Sequence, residues 1–152
     1  MQDRDFVNRF LAFYLFNYET DYSYDEDLDS FMNRALDKLS TLSKSEKNEI
    51  ETAFKNAMNL SKDIFGEFAF SKSKEYRRIN KALFEVMAVS FAKLTEAQRT
   101  KLVANKRHFK SEFYKALEND FADSLSSNTG GKSNVSLRHK EFGKLINQSL
   151  SI

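Results

Sequence analysis

The sequence predicts an all-α fold, a compact bundle of about six to eight helices, and three observations carry that reading. Pro is absent and Gly appears only 4 times in 152 residues, whereas an average chain of this length carries roughly seven Pro. Sheets and sandwiches need the tight turns those residues supply, so their scarcity favours long helices joined by short polar links. Phe, with 15 copies, recurs at helical steps, as in the series Phe109, Phe113, Leu117 and Phe121. With 41% hydrophobic and 30% charged residues, the chain suits a single helical domain over residues 1–152 with one core, and is neither disordered nor a membrane span.

The elements follow in order. Helix one is expected from Asp3 to Tyr18, with Asp3 and Asp5 at its positive end, where carboxylates are favoured. From Phe10 to Phe16 it is apolar on every face, so it is either central to this domain or rests against something outside this chain. Ser23 and Glu26 have capping-box spacing and would open helix two from Asp25 to Leu42, with Leu28, Phe31, Met32, Ala35, Leu36 and Leu39 inward. Ser43 and Glu46 form a clearer box, opening helix three, which runs to Phe65 and stops at Gly66. A connector follows over residues 67–78 with Phe68 and Phe70 tucked in. Asn80 is the N-cap of a helix from Lys81 to Leu94, and Thr95 with Gln98 opens the next, to Asn105. Arg107 to Leu125 reads as one helix. A loop over residues 126–134 follows, with Gly130 and Gly131 supplying positive φ. A last helix runs from Val135 to Leu150 with Leu137, Phe142, Leu145 and Ile146 inward.

Several chemistries are disfavoured by spacing. Gly131-Lys132-Ser133 ends like a phosphate-binding P-loop, but the first glycine of that motif falls on Ser126 and a helix, not a strand, precedes it. Asp25, Asp27 and Asp29 mimic the opening ligands of a calcium loop, yet its sixth and twelfth places hold Ser30 and Leu36. His108 and His139 lack the further ligands zinc requires and read as surface histidines. There is no Cys, so thiolate metal sites are excluded, and no Glu-x-x-His or Gly-x-Ser-x-Gly motif occurs. No catalytic residue, metal ligand or cofactor site is assigned, and the chain reads as a non-enzyme. The charged opening Met1-Gln2-Asp3-Arg4-Asp5 is unlike a signal peptide, and the longest apolar run is too short to cross a bilayer, so a cytoplasmic location is expected.

The charge is uneven. Residues 1–76 carry 10 Lys and Arg against 15 Asp and Glu, a net −5, whereas residues 77–152 carry 14 against 7, a net +7. Arg77, Arg78, Lys81, Lys101, Lys106, Arg107, Lys110, Lys132, Arg138 and Lys140 are the candidate nucleic-acid contacts, because phosphate recognition needs Lys and Arg on one surface. Tyr76 and Tyr114 are candidate stacking residues.

Two phrases, Ile64-Phe65-Gly66-Glu67-Phe68-Ala69-Phe70-Ser71-Lys72 and Ile79-Asn80-Lys81-Ala82-Leu83-Phe84-Glu85-Val86, together with the opening Asp3-Arg4-Asp5-Phe6-Val7-Asn8-Arg9-Phe10-Leu11-Ala12, resemble the helical C-terminal region of the bacterial family called domain of unknown function 262. That family includes the GmrS/GmrD-type modification-dependent restriction systems. The resemblance implies a non-catalytic helical module of a DNA-targeting anti-phage defence protein. Such a module positions nucleic acid or docks an N-terminal catalytic domain of the ParB/sulfiredoxin type, whose Asp-Gly-Gln-Gln-Arg motif this chain does not contain. It also implies that the chain is the C-terminal part of a larger protein, with Phe10, Phe13, Tyr14 and Phe16 as the interface to that domain or to a partner subunit. From a different class, the alternative is an interaction or oligomerisation module that self-associates through helix one and has no nucleic-acid role.

Overall fold

The computed structural model describes residues 2–152; Met1, with which the charged opening begins, lies outside them. Nine α-helices are found among the described residues: α1 (Gln2–Leu15), α2 (Tyr18–Asp21), α3 (Leu28–Ser40), α4 (Lys44–Phe65), α5 (Lys81–Ala92), α6 (Glu96–Ala104), α7 (Lys106–Ala116), α8 (Asp120–Ser124) and α9 (Lys132–Leu150). A 3₁₀ turn, Gly66–Phe68, follows α4. The all-α bundle expected from the sequence is the observed fold, with two more short helices than expected on account of breaks in helix one and in the Arg107–Leu125 segment. No described helix is long and apolar enough to cross a membrane.

The caps explain the boundaries. Ser43 and Thr95 each close the reciprocal capping box expected of them, with Glu46 and Gln98. Asn80 caps α5 by accepting from the Leu83 N–H at 2.9 Å. Helix two begins later than expected, because Asp27, not Ser23, is the cap, accepting from the Ser30 N–H at 2.7 Å. The Asp25–Asp29 cluster thus supplies a helix start. Helix one ends at Leu15, and Asn17 starts a separate single turn by accepting from Glu19 N–H. The long helix expected from Arg107 is broken at residues 117–119, where Asn119 is extended (φ −126°, ψ −166°).

Gly66 terminates α4 with φ +58°, a conformation that favours glycine. Gly130 and Gly131 do not play that role: Gly131 has φ −68°, and the left-handed residue of their loop is Asn128 (φ 46°). A Cβ at position 131 would sit 2.5–3.1 Å from the Asn128 side chain, which would have to move to admit it.

The core is centred on α5, where ten of the twelve residues are buried. It packs along α4 and α1, and more lightly on α9; α3 covers the far side of α1, and α7 and α8 rest on α9. Phe10, Leu11, Ala12 and Phe13 are all buried by this chain itself, which accounts for the all-round apolar stretch of helix one. Phe13 lies between Phe31 and Tyr22, at centroid distances of 5.0 and 6.0 Å. Leu36, expected inward, is exposed, and Leu137 is half-buried because the inward stripe of α9 is Val135, Arg138, His139, Phe142 and Ile146.

Within this apolar interior lies a charged cluster. Glu85 of α5 is fully buried and accepts from Arg138 Nε at 2.9 Å, Arg138 Nη2 at 2.7 Å and Arg9 Nη2 at 3.2 Å, with His139 Nε2 at 2.7 Å. Arg138 spends its remaining Nη1 on the carbonyls of Ser124 (3.2 Å) and Thr129 (2.7 Å). It thereby ties α5, α9, α8 and the following loop together, while Tyr22 donates its hydroxyl to the Gly130 carbonyl in the same loop. Burial alone would raise the Glu85 carboxyl, but Arg138 and His139 outweigh it and hold the group at about 2. Burial lowers His139, overcoming the opposing pull of Glu85, so the ring is neutral at pH 7 and donates its Nε2–H to the carboxylate.

Candidate nucleic-acid interface

Residues 69–80 join the end of α4 to α5 as a closed, internally bonded loop. Phe70 takes φ 65°, an uncommon conformation for a bulky residue; its buried ring packs on Phe84 with centroids 4.7 Å apart. Such a backbone persists where packing over-determines it. The loop is shut at its base by Asn80 N–H donating to the Phe70 carbonyl at 2.9 Å and by a bridge between Ser71 and Ile79. Inside, Ser71 Oγ donates to the Tyr76 carbonyl at 2.6 Å, and Ser73 Oγ accepts from the N–H of Glu75 (2.9 Å) and of Tyr76 (3.2 Å). Asn80 also anchors the loop to the far end of the bundle, its Nδ2 donating to the Leu125 carbonyl at 2.9 Å. Lys72, Lys74, Arg77 and Arg78 are thus carried, exposed, on a fixed backbone.

Two recesses flank this loop. One, of about 530 Å³, lies between the loop and α7: Lys74, Lys106, Arg107 and Lys110 surround it, and Phe65, Phe68 and Tyr114 form its apolar wall. Lys74 Nζ sits 4.5 Å from the centroid of the Tyr114 ring, within cation–π range. Partial burial raises the Tyr114 hydroxyl, so the ring is neutral at any physiological pH. None of the ion pairs among the described residues involves those four cations. Lys106 reaches only a backbone carbonyl, that of Asp63 at 3.3 Å. Unneutralised cations at a concave surface give a positive potential that draws in anions. The second recess, of about 640 Å³, lies on the other side of the loop and is lined by Lys72, Arg78, Lys81, Tyr76, Asn80 and Ser126 among others. Here one charge is answered, since Lys81 pairs with Asp5 at 3.3 Å, while Lys72 donates to the neutral Ser126 Oγ at 2.8 Å.

The sequence candidates are divided accordingly. Lys106, Arg107 and Lys110 come together at the first recess, Arg78 and Lys81 at the second, and the two tyrosines marked for stacking fall one in each. Arg77 pairs with Glu67 at 3.3 Å. Lys101, Lys132 and Lys140 line neither recess, and Lys132 instead donates to the Glu19 carbonyl at 3.0 Å and lies over Tyr24. Arg138 is corrected outright: it is fully buried and committed to Glu85, out of reach of any external phosphate. His139 is likewise an interior residue, with Phe13 and Tyr18 rings at 5.4 and 4.8 Å, not a surface one.

The interface expected on helix one is corrected for Phe10 and Phe13, which are consumed by the core; Tyr14 and Phe16 are half-buried, Tyr14 stacked on Phe10 and Phe16 beside Arg34 and Lys38 at 5.0 and 4.9 Å. Sequence reasoning missed Lys72 and Lys74. Their alternation with serines in Ser71-Lys72-Ser73-Lys74, next to an exposed Tyr76, was the available signal. Among the described residues no group of three or more His, Asp or Glu is placed to hold a metal ion. Compared with family models, with curated proteins and with solved structures, the chain matches none.

Proposed function

We propose that this chain is a nucleic-acid-binding helical module that grips phosphates at the recess between the 69–80 loop and α7. The observation that carries the reading is the group of four cations, Lys74, Lys106, Arg107 and Lys110, around one apolar-walled recess, with no carboxylate among the described residues paired to any of them. Lysine and arginine ammonium and guanidinium groups on a rigid frame are what backbone recognition requires, and phosphate contacts position a strand without reading its sequence. The resemblance to the helical region of domain-of-unknown-function 262 proteins supports the same use, as the positioning part of a DNA-targeting defence protein whose chemistry would lie in another domain.

Binding of a fluorescent DNA by anisotropy, between about 50 and about 200 mM salt, tests the reading. Each cation that neutralises a phosphate contributes close to one to the slope of log affinity against log salt. The triple variant K106E/R107E/K110E is therefore expected to weaken binding at low salt at least about tenfold and to flatten that slope by about three. The double variant K101E/K140E, altered away from the recess, is expected to bind as the parent does. Equal affinity of parent and triple variant would sink the proposal.

A further inference from the structure

The geometry points to an unpaired strand, rather than a duplex, as the nucleic acid held at the α7 recess, with a base stacked on Tyr114. This rests on the nucleic-acid reading above. A duplex presents phosphates on a convex surface and keeps its bases stacked inside, so it leaves a concave apolar wall unfilled. Here the cations surround an open recess of about 530 Å³ whose wall is Tyr114, Phe68 and Phe65, large enough to admit a base from one side. A base projecting from a single strand fills such a space while its phosphates meet Lys106, Arg107 and Lys110.

The Tyr114 face is also suitably presented. The ring is held by Phe113 and Phe65, at 5.1 and 6.4 Å and in edge-on contact with both. Lys74 Nζ rests over the ring, 4.5 Å from the centroid, on an exposed and rotatable side chain. A π-face occupied by a mobile ammonium is one that a base can take over, with the lysine moving to the phosphate. The same contact bears on major-groove entry: Lys74 of the 69–80 loop reaches over Tyr114, so this part of α7 does not stand clear of its neighbours as a recognition helix does. Tyr76, 68% exposed in the neighbouring recess, offers the adjoining platform for the strand as it crosses the loop.

The test compares a fluorescein-labelled oligothymidylate with a duplex of the same length, using the whole chain and its Y114L and Y114F variants. Far-UV circular dichroism checks that each variant is folded. The single strand is expected to bind the parent about tenfold more tightly than the duplex, Y114L to lose about tenfold of the single-strand affinity, and Y114F, which keeps the ring, to restore it. Duplex bound as tightly as single strand, or single-strand binding indifferent to Y114L, overturns the stacking inference while leaving the phosphate grip intact. Binding of neither probe at low salt overturns both.

Discussion

Glu85 is the residue on which the interior turns. A carboxylate taken fully out of water is tolerated only when its lone pairs are filled and its charge answered, and here Arg138, Arg9 and His139 do both. The cluster still carries more positive than negative charge, and Arg9 Nε is buried with no hydrogen-bond partner among the described residues. Removing the carboxylate charge would therefore strand two guanidinium groups in the core. E85Q is expected to lose about 3–5 kcal/mol of stability, measured by urea denaturation, whereas a surface pair such as Lys144–Glu141 would contribute under about 1 kcal/mol. An E85Q variant as stable as the parent would show that the cluster contributes nothing to holding α5 and α9 together. Both halves of this cluster left traces in the sequence. Glu85 interrupts an otherwise apolar run, and Arg138 and His139 stand three and four residues after Val135 and four and three before Phe142, on the buried stripe of α9. A charge count along the chain does not register them, because it treats every Arg as external.

At the scale of the element, end chemistry sets the helix boundaries. Ser43 and Thr95 act locally, and S43A and T95A are each expected to lose about 1 kcal/mol. Asn80 has a second task, since the same side chain that caps α5 donates to Leu125 and fastens the loop's base to the bundle. N80A is thus expected to lose more than S43A, about 2 kcal/mol, and to weaken nucleic-acid binding by loosening the 69–80 loop. Equal losses in the two variants, by thermal or urea unfolding, would show the Leu125 bond to be idle. G66A offers a cleaner backbone test. No atom lies within 4 Å of the added Cβ, so an expected loss of about 1 kcal/mol would come from φ +58° alone. The caps were legible because a capping box is written within four residues. The break after α7 was not, since residues 107–125 keep an apolar four-residue step across it.

For the whole molecule, the buried cluster makes stability depend on pH. The folded pKa of Glu85 is depressed to about 2 from the ordinary 4.5, so its contribution is present above 4.5 and is lost as pH falls toward 2. His139 is depressed below its ordinary 6.5, so the unfolded chain takes up that proton first, and stability declines as pH falls below 6.5. Both act in one direction: unfolding free energy is expected to fall between pH 7 and pH 5.5 and more steeply below pH 4.5, as urea titrations at pH 7, 5.5 and 4 would show. A profile flat down to pH 4 would contradict the burial of both groups. The charge asymmetry also acquires a location at this scale. Glu19, Asp21, Asp25, Glu26, Asp27 and Asp29 cluster from α2 to the start of α3, while the cations of α7 gather with Lys74 of the 69–80 loop. Only part of the basic excess reaches the candidate surface, because Arg138 is spent inside and Lys101, Lys132 and Lys140 lie elsewhere.

By itself, then, the sequence determined the helical class, the capped starts of α4, α5 and α6, and the basic residues from which an interface could be drawn. All of these depend on neighbours a few positions away, through helical period and end-capping. Tertiary packing alone decided that Glu85 would meet Arg9 and Arg138 across separations of 76 and 53 residues, and that helix one would bury Phe10 and Phe13 within this chain. It alone decided that Lys74 would cross to Tyr114 and close a cationic recess with Lys106, Arg107 and Lys110. Which charges face water and which face one another is set by how the helices stack, and the local pattern of a helix carries no term for its distant partner.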